Sequence, residues 1–266
     1  VDYNKRYFPG TSIQENTYYQ ENLTSYYNYD GDTRWGRTGF GIRGGLEFIL
    51  SEKDYINVVA RYGTREGDRK STQQLGNWTS EQPEILSSTN ISNNIRDGEF
   101  AGANFTYTHR FEGRGHELKT EFNFGYNDGN DSASTESFSN NLLYDGKITT
   151  EFGPSREFET KIEYTLPLSD TRKFETGYDG EIENSDEINE LFEYNTQTTD
   201  YEFKSEFSHS TKYYDNYQAL YAMYSDQFGY LGVQGGLRTE YTYRKISLLD
   251  EDVDFTIDRW DYFPTI

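Results

Sequence analysis

The chain has 266 residues, 33% of them hydrophobic and 27% charged, with a net charge of −21 and a mean hydropathy of −0.96. That acidic balance, without Lys or Arg clusters, excludes nucleic acid as a partner, because phosphates need concentrated positive charge. The polarity would suit a disordered chain, but 25 Tyr and 18 Phe exclude one: disordered segments lack the rings whose burial offsets chain entropy.

In chain order, residues 1–30 are rich in Tyr, Asn and Gln and end in Asp30-Gly31-Asp32, which predicts a strand followed by a turn. Residues 36–50 alternate, with Phe40, Ile42, Gly44, Leu46 and Phe48 on one face. A short connection at 51–54 leads into 55–62, where Ile56, Val58, Ala60 and Tyr62 oppose Asn57, Val59 and Arg61. Residues 64–97 turn to Ser, Thr, Asn and Gln and read as a long polar loop. In 98–124, Phe105, Tyr107, Phe111, Leu118, Phe122 and Phe124 share one face, while Asn104, Thr106, Arg110, Lys119, Glu121 and Asn123 share the other. Another polar loop is expected at 127–150. A hairpin then pairs 158–168 with Phe174, Tyr178 and Ile182 across a turn at 167–170. An acidic loop at 184–197 precedes alternating runs at 201–207, 217–224 and 230–243.

Strands this long, with aromatic residues on one face and ionic residues on the other, predict the wall of an antiparallel transmembrane β-barrel. A helical span is excluded because no stretch of about 18 apolar residues exists, and a barrel is the other architecture that satisfies its backbone in hydrocarbon. Roughly ten or eleven crossings are expected. Short turns near 52, 114, 169 and 228 would face the periplasm, with the three long loops outside. The chain opens at Val1 without a signal sequence, which says nothing against export.

Three stretches carry a resemblance: residues 45–69 (GLEFILSEKDYINVVARYGTREGDR), residues 163–177 (EYTLPLSDTRKFETG), and residues 217–242, with Gly236, Leu237, Arg238 and Glu240 at their core. They resemble the outer-membrane β-barrel family related to TonB-dependent receptors. The resemblance implies a barrel of around 22 strands, of which residues 1–266 would form part. It also implies a plug domain and TonB-contacting box, which this sequence does not contain. The implied role is an outer-membrane transporter whose wall and outer loops take up an oligosaccharide, peptide or metal chelate, with outer-membrane lipid, a TonB-type energy-coupling protein and a surface lipoprotein as partners. A secreted or surface-displayed all-β adhesion or structural protein is the alternative, and a passive porin the third reading.

Catalysis finds no positive support: phosphate loop, dinucleotide fingerprint and nucleophile elbow are all missing. There is no Cys, and His109, His116 and His209 lack zinc spacing, so no catalytic, cofactor or metal residue is assigned. Asp128, Asp131, Asp179, Glu183, Asp186, Glu187 and the acids at 250–254 read as solvated loop charge, without a calcium-loop pattern. Arg110, Lys119, Glu121, Glu163, Arg238, Glu240 and Arg244 read either as a polar network lining a lumen or as ordinary wall ion pairs. Trp35 and Trp260 are expected in a girdle or lipid-facing wall, and Trp78, inside the expected 64–97 loop, as a ligand contact.

Overall fold

The computed structural model describes residues 1–20, 23–83 and 86–266 as one antiparallel sheet. Its strands are β1 (Asp2–Gln20), β2 (Leu23–Ile49), β3 (Asp54–Thr79), β4 (Leu86–Arg110), β5 (Glu117–Ser139), β6 (Leu142–Pro167), β7 (Lys173–Asn195), β8 (Asp200–Phe203), β9 (His209–Phe228), β10 (Leu231–Leu248) and β11 (Val253–Thr265). Each pairs with the strand before and after it, except that β8 adds to the far end of β7 and β9 pairs with the rest of that strand. Among the described residues, β1 and β11 are each paired along one side only.

Cross-strand partners share a face, so the register sorts every side chain. Val58, Phe105 and Phe122 lie in one row, as do Phe124, Phe158 and Ile182, and Ile162, Tyr178 and Leu220. On this outer face Phe124, Phe158, Ile182 and Leu220 are exposed and the other named side chains half-buried; Leu220 is 56% accessible, and Leu237, on the same face, 51%. Among the described residues Ala219 is the one buried apolar side chain. A soluble sandwich would hide these residues between two layers; here a single layer turns them outward, which only an apolar surrounding makes favourable.

The apolar band has edges. Toward the tight turns, Tyr107 donates its hydroxyl to Asp54 at 2.8 Å, and Tyr164 pairs with His116 at 2.8 Å. Toward the other end, Tyr62 donates to Glu99 at 2.8 Å and Tyr126 to Asp128 at 3.1 Å. Beyond Tyr62 and Tyr126 the same face carries Glu66, Asp68, Lys70 and Asp97. The run from Leu118 to Tyr126 covers roughly 26 Å of strand, which suits the ~25 Å apolar band of an outer-membrane wall. Tyrosine suits both edges because its ring stays in the apolar layer while its hydroxyl reaches water or a carboxylate.

Three sequence expectations need correction. The polar stretches at 64–97, 127–150 and 184–197 are strand for most of their length: β3 runs on to Thr79, β4 starts at Leu86, β5 reaches Ser139 and β7 reaches Asn195. Of the expected 64–97 loop, Glu84 and Ile85 lie outside the described residues. Backbone pairing continues past the band because a ladder in water needs no apolar face, so polar composition there did not mean loop. Asp30-Gly31-Asp32 is likewise not a turn but mid-β2; Gly31 is buried, and a Cβ there would lie 3.2 Å from the Tyr29 ring. The acids Asp128, Asp131, Asp179, Glu183, Asp186, Glu187 and Asp254 accordingly sit on strands. The short connections at 50–53, 111–116, 168–172 and 229–230 fall where the sequence places them.

Candidate functional site

The inner face, opposite the apolar band, holds the cavities and, at the level of that band, the charged side chains. One cross-strand row sets its character. Arg43 on β2 lies opposite Arg61 on β3, followed by Gly102, Gly125, Glu157, Glu183, Asp215 and Arg244 on successive strands. Along this row two arginines on β2 and β3 are separated by two glycines from three carboxylates on β6, β7 and β9, and Arg244 on β10 closes it. A trough of about 390 Å³ lies over those glycines, walled by Arg43 and Arg61 on one side and Glu157 and Glu159 on the other. Gly102 keeps it open: a Cβ there would lie 2.9 Å from Nε of Arg61. Above it, away from the tight turns, a larger cavity of about 770 Å³ repeats the division, with Arg37, Arg65 and Arg96 facing Glu151 and Glu183.

The acids on β5 to β10 are held by neutral donors, by lysines and by two arginines. Asn104 donates to Glu121 at 3.1 Å, and Asn123 donates to Glu159 at 3.0 Å. Arg238 donates to Glu240 at 2.5 Å, to the Tyr217 hydroxyl at 2.7 Å and to Asp179 at 3.2 Å. Arg244 donates to Asp215 at 3.1 and 2.5 Å, and Tyr213 donates to the same Asp215 oxygen at 3.0 Å. The other oxygen, Oδ1, is buried without a partner among the described residues.

Of the seven residues read as a lumen network, Arg238 and Glu240 are in direct contact. Arg244 joins Asp215 instead; Arg110 and Lys119 pair with Glu117 at 3.6 and 3.0 Å, and Glu163 with Lys161 at 3.3 Å. All seven lie on the inner face, in separate groups. The sequence reading missed Tyr217, Asp215 and Glu117 and took Asp179 for loop charge; these are partners supplied by cross-strand register and by neighbours two residues away. The alternation carries the signal for their face, but the register that pairs them is set by turn lengths.

The tryptophans differ from expectation. Trp78 ends β3 rather than lying in a loop, and its ring stacks on Tyr26 at 5.3 Å on the outer face. Trp35, expected in the girdle, stands on the inner face, stacked on Phe8 at 4.9 Å and lining the larger cavity. Trp260 remains on the outer face beside Tyr241, 5.0 Å between ring centroids.

A family model described as "Outer membrane protein beta-barrel family" matches residues 109–266, more than half of the chain. No curated protein matches. Among solved structures, the chain is similar to the ferric citrate transporter FecA in its unliganded form, at 9% identity and TM-score 0.35 over 98% of this chain; it spans 40% of that chain's length. It is also similar to the outer membrane protease OmpT from Escherichia coli, at 7% identity and TM-score 0.24 over 98% of this chain and 94% of that one. Neither superposition adds to what the family model carries.

Proposed function

The chain belongs to the outer membrane protein β-barrel family and lies in the bacterial outer membrane, and from that premise we propose that it is the wall of a transporter that admits a nutrient across that membrane. The observation that carries this reading is the inner face: charged side chains, with arginines facing carboxylates across open troughs, run along the face opposite the apolar band and past its far edge. A wall that merely anchored a surface protein would gain nothing from open troughs kept clear by glycine. In this reading the nutrient is an oligosaccharide, a peptide or a metal chelate. A plug outside this chain blocks the lumen, a TonB-type partner displaces it, and a surface lipoprotein presents the substrate. The segment around Gly236, Leu237, Arg238 and Glu240, which resembles the receptor-type barrels, supports energy coupling over passive diffusion.

The test uses the full-length gene product. Reconstituted in vesicles, it should leave entrapped solutes in place on its own, and cells expressing it should accumulate substrate only while the inner membrane is energised. Vesicles that leak small solutes without any partner would identify a porin instead.

A further inference from the structure

Between the ends of β1, β2 and β3, at the opposite end from the tight turns, lies a groove of about 640 Å³ on the inner face. Its walls include Tyr18, Tyr27, Tyr29, Gln14, Asn16 and Asn77. Among the described residues no charged side chain lines it, in a chain where 27% of residues are charged. Alternation accounts for this: Glu15 and Asp30, on the same strand ends, take the opposite face. Tyr18 and Tyr27 meet edge to face at 5.4 Å, yet remain 58% and 46% accessible, so ring surface is open to a ligand. Gln14 donates to Asn16 at 3.3 Å, leaving further donors and acceptors on these two amides.

We propose that this groove binds a neutral oligosaccharide, an inference that rests on the transporter reading and names its substrate class. Sugar rings present apolar C–H faces and a rim of hydroxyls; exposed tyrosine faces match the first, and amides, which both donate and accept, match the second. An anionic chelate or a charged peptide would need an opposite charge, and the arginines and carboxylates that could supply one lie deeper, around the 770 Å³ cavity. Further along the same face, past Gly31 and Thr33, stands the Phe8–Trp35 stack, so a chain of sugars bound at the rim has a second pair of rings ahead of it.

The experiment is binding of maltohexaose and mannohexaose to the purified full-length protein in detergent, followed by intrinsic fluorescence, with ferric citrate and a hexaglutamate peptide as charged probes. At least one neutral hexasaccharide should bind. The Tyr18→Ala/Tyr27→Ala variant should lose at least tenfold in affinity, while Tyr18→Phe/Tyr27→Phe, which keeps the rings, stays within threefold. Heat-dependent gel mobility checks that each variant is folded. Binding of neither hexasaccharide, equal binding by the Ala and wild-type proteins, or preferential binding of a charged probe overturns the proposal. Energised uptake of another solute without hexasaccharide binding would sink this groove's role and leave transport standing; hexasaccharide binding without any uptake would do the reverse.

Discussion

Replacing Arg244 by Met tests whether the charge of the inner face is held by specific pairs. Asp215 is 7% accessible, and the two Arg244 bonds fall on one oxygen together with the Tyr213 hydroxyl. Met keeps most of the aliphatic stem, so the substitution removes mainly the guanidinium. Left behind is a buried carboxylate directly opposite Glu183 on β7. Breaking a fully buried pair costs about 3–5 kcal/mol. Arg244 is 42% accessible, however, and solvent screening brings the expectation down to about 2 kcal/mol. Asp215→Asn removes the stranded charge, so Arg244→Met should cost under about 0.5 kcal/mol in that background, a coupling of at least about 1 kcal/mol between neighbouring sites. Urea unfolding in lipid vesicles, followed by tryptophan fluorescence for the four proteins of the cycle, measures it. If the two single costs simply add, the pair contributes nothing and the wall is not organised by it.

The face assignment predicts that Phe122→Arg destabilises the folded wall by about 2–4 kcal/mol, as a charge near the bilayer midplane does. Asn123→Arg, one residue on and beside Glu121 and Glu159, should cost far less; equal urea midpoint shifts in vesicles would refute the assignment. Gly177 faces the Tyr221 ring so closely that a Cβ would lie 2.5–2.6 Å from it. Gly177→Ala should therefore cost about 1–3 kcal/mol through overpacking in thermal unfolding, and that cost should vanish in a Tyr221→Ala background. At the turn-side rim, hydrogen bonds from His109, Ser51 and Tyr107 hold the Asp54 carboxyl down to about 2, from an ordinary 3.8. A lowered folded-state pKa gives stability that is present above the unfolded value and lost as pH falls through the folded one. Unfolding midpoints should thus drop between about pH 4 and pH 2, and that segment of the profile should flatten in Asp54→Asn.

The alternation of 98–124 and 158–168 was enough to assign faces, since Phe105, Tyr107, Phe111, Leu118, Phe122 and Phe124, and then Phe158, Ile162, Tyr164 and Leu166, recur at every second or fourth position of one side, before and after the turn. Hairpin positions were equally legible, because Glu112-Gly113-Arg114-Gly115 and the stretch around Ser169 and Asp170 are turn formers flanked by alternating runs. Strand length was not. Residues 64–79 and 86–97 are polar on both faces, and period-two patterning has no signal where both faces are wet. The same blindness put Trp78 in a loop and hid Tyr18 and Tyr27, whose place on one inner groove depends on the pairing of β1 with β2. The ion pairs of Arg238 and Arg244 needed the register to a single residue, which composition does not supply.

The overhang of the strands has its own consequence. Twenty-seven residues in β2 span roughly 90 Å of extended chain, far more than the hydrocarbon layer needs. The part that rises into the surroundings is knitted by backbone bonds, so it continues the sheet beyond the apolar band. In the transporter reading proposed above, a solute would meet this extension well before the plane of the lipids, so exchanging side chains there should alter what is admitted without disturbing how the wall is seated below.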